Sequence, residues 1–182
     1  YGYRYDTEKQ LFIAEPENNY PDYFDNPFTV SIYKDVMYME VIDPLWILEQ
    51  INNNLENRFI FFRFNFSKNN GSSHFAMIVF DTVFETVQLL DTNGLSNYFD
   101  KYLVNGNSSF HYFIDMMQNY FKIFNQICNL KYTFQVEQQY PCTINVGTET
   151  THSYDRGHCV PLTLMLIYLM IQHKQELQQN FI

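Results

Sequence analysis

The sequence predicts an α+β fold: a central mixed or antiparallel sheet flanked by helices. β-prone segments are grouped between residues 29 and 91 instead of alternating with helices, the pattern of α+β and not of α/β architecture. One long stretch, Ser109 to Leu130, carries Phe110, Phe113, Ile114, Met117, Tyr120, Phe121, Phe124 and Ile127 at three- and four-residue steps, which is helical periodicity. A polar stretch broken by Pro141, Gly147 and Gly157 then leads into an apolar run that starts at Cys159.

No internal repeat and no Pro/Gly/Ser-rich linker divides the 182 residues, so one domain over 1–182 is expected. Residues 1–28 read as an irregular extension, because Pro16, Pro21 and Pro27 forbid a long helix; residues 29–174 read as the core. Thr29–Tyr33 and Met37–Val41 are short β-prone stretches separated by Lys34-Asp35. Asp43-Pro44 is the N-cap and first-position pair that opens a helix, with Leu45, Leu48, Ile51 and Leu55 as its expected apolar face. Phe59–Phe66 predicts a largely buried strand, His74–Asp81 a second and Thr86–Asp91 a third, closed by the turn pair Asn93-Gly94. Ser96–Val104 is weakly helical, Ser109–Leu130 strongly so, and Lys131–Val136 predicts a fourth strand. The final helix runs from Cys159 to about Lys174.

Composition excludes several classes. Phe 18, Tyr 15 and Trp 1, with 46% hydrophobic residues overall, place the chain among folded proteins and outside disordered or collagen-like ones. A net charge of -9 is the wrong sign for gripping nucleic acid or an anionic bilayer and suits a basic partner face. Cys128, Cys142 and Cys159 are odd in number and lack C-x-x-C spacing; they predict reduced, intracellular thiols without a disulfide framework or structural zinc. The opening residues carry no secretory pattern. The run from Cys159 to Ile171 would be about 20 Å long as a helix, short of the ~30 Å hydrocarbon core, so it is expected to be a buried helix and not a membrane span.

Candidate chemistry starts at Cys159. A helix N-terminus, with its unsatisfied N–H groups and macrodipole, stabilises a thiolate, and Pro161 fits a first turn. On position alone Cys159 better fits a small buried hydrophobe. A nucleophilic thiol needs a base. His158 is its sequence neighbour, His111 and His173 fall on helices away from it, and His152 lies on the polar loop. His74 opens a core strand just after a polar loop, where a side chain can stand on a rigid support. Asp91 ends the adjacent strand and reaches His74 if the register is offset. Separately, His74 is also a strand-end residue bonded to backbone and Asp91 a turn residue.

Taken in order, His74-Phe75 opening a strand, Leu89-Leu90-Asp91-Thr92 closing the next and Gly157-His158-Cys159 entering an apolar helix resemble the adenain-like cysteine peptidases. That clan includes SUMO and ubiquitin-like proteases, bacterial effector deubiquitinases and viral maturation proteases; histidine comes first in the chain and cysteine last. The resemblance covers roughly Thr29 to Gln172. Phe75 stands where eukaryotic members have Trp, and His158-Cys159-Val160 replaces Asp-Cys-Gly, a form closer to divergent members of large DNA viruses. No clear counterpart of the family's oxyanion-hole glutamine precedes Cys159. Gln138 and Gln139 lie further upstream, and Glu149 occupies a place where divergent members carry Gln; a carboxylate there would repel the oxyanion.

The resemblance implies an adenain-like fold and a Cys159, His74, Asp91 triad acting without metal or cofactor. The implied substrate is the C-terminal Gly-Gly tail of ubiquitin or a ubiquitin-like modifier, held between aromatic walls such as Trp46 or Phe75. It equally admits a viral polyprotein maturation protease, an acyltransferase, for which Asp91 in place of Glu is less apt, or a weakly active module that binds a ubiquitin-like partner.

Overall fold

A computed structural model describes residues 2–6, 11–15, 28–33, 36–41, 43–68, 73–91, 103–104, 107–135 and 159–172. The architecture is α+β. Among the described residues, ten strands and three helices follow in the order β1 (Gly2–Asp6), β2 (Leu11–Glu15), β3 (Phe28–Tyr33), β4 (Val36–Val41), α1 (Pro44–Asn52), β5 (Phe59–Lys68), β6 (Ser73–Asp81) and β7 (Thr86–Leu90), then β8 (Leu103–Val104), β9 (Asn107–Ser108), α2 (Ser109–Cys128), β10 (Thr133–Gln135) and α3 (Cys159–Gln172). The main sheet is mixed, in the order β10-β7-β6-β5-β3-β4-β1-β2; β10 runs parallel to β7 and β3 parallel to β5, and the remaining pairs are antiparallel.

Two expectations change. Residues 1–28 are not wholly irregular: β1 and β2 form an antiparallel hairpin that extends the sheet beyond β4. The three prolines stand after β2 in the sequence and leave both strands free to pair. Leu103–Val104, the end of the stretch expected to be weakly helical, pairs instead with Asn107–Ser108 as a separate two-stranded ribbon, and residues 96–102 lie outside the described residues. The Asn93-Gly94 turn lies outside the described residues.

Strand alternation divides the sheet into two faces. On one, Phe62, Phe64 and Phe66 of β5 and Ala76, Ile78 and Phe80 of β6 pack against Phe113, Met117, Tyr120, Phe121 and Phe124 of α2 in the main core. The rings meet edge-on or stacked, as in Phe80 with Phe62 at 5.3 Å and Phe121 with Phe134 at 5.4 Å between centroids, arrangements that add to the burial itself. On the other face a smaller core of Met77, Val79 and Leu90 receives Ile167 and Met170 of α3. The sheet therefore lies between α1 with α2 on one side and α3 on the other.

The helix face of α1 is set by the sheet. Pro44, Ile47 and Ile51 are buried, whereas Leu45 and Leu55 are exposed; Leu55 also lies past the helix end at Asn52. Asp43 caps the start by accepting the Leu45 N–H at 2.9 Å, as its sequence pattern predicts. α3 departs further from expectation. It is apolar throughout, yet Leu164, Met165, Tyr168, Leu169 and Ile171 are exposed, so it is covered by the sheet on one side only.

Candidate functional site

His74 is the second residue of β6 and lies opposite Phe66 of β5. Its ring stacks on Phe66 with centroids 6.0 Å apart, so it projects to the face that carries α2. Asp91 directly follows β7. The β6–β7 register places Leu90 opposite Met77, and one further step brings Asp91 opposite Ala76, two residues from His74 on the same face. This diagonal offset is within reach of a long side chain, and His74 Nε2–H donates to Asp91 Oδ1 at 2.7 Å. Both side chains are almost wholly buried, at 4% and 1% exposure. In so little water the carboxylate holds the ring's orientation more strongly than at a surface.

Cys159 is the first residue of α3, the helix start that the sequence predicts. Its side chain lies outside what the structure describes, and so do Gln138, Gln139, Glu149, His152, His158 and His173. The helix it begins packs on the sheet face opposite His74 and Asp91. The structure thus brings the imidazole and carboxylate together and places the helix of the third residue in the other layer. His111 is exposed on α2. Among the described residues, no group of three or more His, Cys, Asp or Glu is arranged to hold a metal, and no helix is long and apolar enough to cross a membrane.

Cys128 is a thiol of the opposite kind. It is buried at the end of α2 and donates to the Pro44 carbonyl at 3.6 Å. Burial, reinforced by the negative charge of Asp43, pushes its pKa up to about 11, which keeps it protonated and unreactive at neutral pH.

Two features were not anticipated from the sequence. Arg58 holds Asp81 through a two-nitrogen grip, with Nη2 to Oδ2 at 2.7 Å, and lies over the rings of Phe59 and Phe84. Asp81 also accepts the Val83 and Phe84 N–H groups, closing the β6–β7 turn in which Glu85 has a positive φ of 51°. The second is a cleft of about 350 Å³ where α1 meets the start of β5, lined by Trp46, Gln50, Asn54, Asn57 and the strand from Phe59 to Phe62. Steps of four residues from Trp46 to Gln50 to Asn54 were the available signal. Of the expected aromatic walls, Trp46 lines this cleft, edge-on to Phe62 at 6.1 Å, and Phe75 packs toward α3. No family model, no curated protein and no solved structure matches the chain.

Proposed function

We propose that this chain is a cysteine peptidase of adenain-like fold, with Cys159 as nucleophile, His74 as base and Asp91 as the group that positions His74. The observation that carries this reading is the buried His74–Asp91 hydrogen bond at the end of the sheet, combined with a cysteine at the first position of an apolar helix that packs on the same strand. Ile167 and Met170 pack beside Met77 and Val79. Cys159 stands eight residues before Ile167, about 12 Å along the axis. His74 stands three to five residues before Met77 and Val79, about 10–16 Å along the strand. If α3 runs parallel to β6, these lengths bring its N-terminus to the strand end that carries His74.

In this mechanism Nε2 is engaged by Asp91, so Nδ1 is the nitrogen that exchanges a proton with the thiol. The Cys159 sulfur attacks the carbonyl carbon and His74 takes the thiol proton. The tetrahedral oxyanion is held by backbone N–H groups at the helix start. The C–N bond breaks, His74 passes its proton to the leaving amine, and water then hydrolyses the thioester to a carboxylate and restores the thiol. The preferred substrate is the Gly-Gly tail of ubiquitin or a ubiquitin-like modifier, whose basic face suits the acidic chain; a viral polyprotein with Gly-Gly-x sites is the same chemistry on another substrate.

The test is incubation with ubiquitin and SUMO carrying a C-terminal electrophile, beside Cys159→Ala. Covalent labelling that disappears in the variant is the expected result. Labelling that persists in it, or none with any probe, overturns the assignment. One observation favours a second reading: α3 packs on the face opposite the His74 ring. On that reading His74 and Asp91 are a structural pair within a module that binds a ubiquitin-like partner, and the unlabelled protein would still bind the free modifier.

A further inference from the structure

The cleft beside α1 has a property that its volume alone does not convey. β5 is paired with β6 along its length, but on its other side, among the described residues, pairing begins only where Phe28 of β3 meets Phe64. Pro27 precedes Phe28, and a proline has no N–H to give to a ladder. Among the described residues, the stretch from Phe59 to Arg63 is therefore an open edge. Which of its backbone groups face outward follows from the ladder. Thr82 N–H donates to the Arg58 carbonyl at 2.8 Å, which makes 58 and 82 a hydrogen-bonded pair. The two-residue period of an antiparallel ladder then makes Ile60 with Phe80 and Phe62 with Ile78 bonded pairs too. The N–H and C=O groups of Phe59 and Phe61 point the other way, toward the cleft.

Trp46 forms a wall and is 39% exposed, Gln50, Asn54 and Asn57 supply amides, and no basic side chain lines the cleft. Its surroundings carry more acid than base: Glu49 and Glu56 are exposed on α1 and the turn after it and Asp43 is partly exposed at the start of the same helix, against Arg63, which is exposed at the far end of the edge and lies over the Phe75 ring. Nearby Arg58 is committed to Asp81. Backbone groups spaced along a strand select an extended peptide over a compact sugar or nucleobase. The carboxylates select positive charge, and an indole face accepts a cation.

We propose that this edge binds a short extended peptide bearing lysine or arginine, added as a strand beside β5 with alternate side chains directed toward Trp46 and toward the Phe59 and Phe61 side of the sheet. The proposal does not depend on the thiol chemistry above. Trp46 is the sole tryptophan and reports occupancy directly. The probe is a peptide of about six residues, alternating valine with lysine and blocked at both ends, titrated against the full chain while tryptophan emission is followed. The expected result is a saturable change in emission. N-methylation of the amides that face β5 should weaken binding at least tenfold, as should replacing lysine with glutamate, where tenfold corresponds to about 1.4 kcal/mol. Phe61→Pro removes one outward N–H without touching the β6 ladder and should lose binding to a similar degree; Cys159→Ala should bind as the parent does. No change in emission at ~1 mM peptide, the range of the weakest specific contacts, overturns the proposal. So does equal affinity after N-methylation, which excludes strand addition, or equal affinity for the glutamate peptide, which excludes a basic ligand. The methylated peptide decides the matter even if Phe61→Pro does not fold.

Discussion

At the open end of the sheet, Asp91 Oδ1 and His74 Nε2 are held 2.7 Å apart with almost no solvent around them, and the consequences of removing the carboxylate differ between structure and catalysis. A hydrogen bond to a charged partner contributes about 1.5–3 kcal/mol, so Asp91→Asn should lower unfolding stability by up to that amount in urea titrations whichever role the pair has. Rate is the separate readout. If His74 serves Cys159, loss of the negative charge weakens the imidazolium, and labelling by a modifier electrophile should slow by between tenfold and ~10⁴-fold in protein that is still folded. An unchanged rate in folded Asp91→Asn would assign the residue to structure alone. The pairing was legible in the sequence only as a possibility, because the 17-residue separation becomes a contact through one particular register; the side of the sheet on which it falls was not legible at all, being set by which of two apolar faces α2 covers.

At the level of elements, strong local signals located the boundaries and tertiary contacts chose the faces. Alternating and apolar runs placed β5, β6 and β7 within two residues of their observed ends, and the three- and four-residue steps placed α2 over Ser109–Leu130, two residues beyond its observed end at Cys128. The β1–β2 hairpin was missed although Tyr3 and Tyr5 of β1 alternate with Arg4 and Asp6, because Leu11–Glu15 of β2 does not alternate and the prolines after them dominate the local composition; β1 is joined to the sheet by pairing with β4. α1 was placed correctly but its face is partly turned: Ile51 and Leu48 meet the core as expected, whereas Leu45 and Leu55 are exposed and Ile47, equally apolar in the sequence, is buried in their stead. Its N-cap links two effects. Asp43 accepts the Leu45 N–H and, after burial, is the second cause of the raised Cys128 pKa. Asp43→Ala should therefore lower stability by about 1 kcal/mol and at the same time let Cys128 ionise at a lower pH, seen as faster native-state reaction with a disulfide reagent. The parent has the complementary pH dependence. The unfolded thiol releases its proton near its ordinary value of 9.0 while the folded one holds it to about 11, so the folded state binds more protons in that window and stability falls as pH rises through it. Below the window this contribution is fully present. Cys128→Ala, followed by denaturant titration across the same range, should remove that part of the slope; an identical slope would show that other groups produce it.

Across the whole molecule the two layers are unequal, and this bears on how the helix carrying Cys159 behaves. One face of the sheet holds the extended aromatic core under α1 and α2; the other holds three fully buried apolar residues beneath α3, with Ile167 and Met170 as that helix's partly buried contacts. Local opening costs least where few apolar contacts are broken, and five large apolar side chains of α3 are already exposed, so releasing it uncovers little further surface. Hydrogen exchange should show amides in residues 159–172 exchanging through a local opening well below the global unfolding free energy, while those of α2 and of the central β5–β6 pair exchange only with global unfolding. Exchange of α3 at the same free energy as α2 would mean that its layer is as strongly held as the main core. A covalent adduct at Cys159 supplies the link to function. Binding energy directed to one state of a two-state element shifts its population, so a modifier attached through Cys159, and contacting the strand end that carries His74, should slow exchange across α3 while leaving α2 unchanged. An adduct that forms without altering α3 would show that the thiol reacts as an isolated surface group and not as part of a site assembled against the sheet.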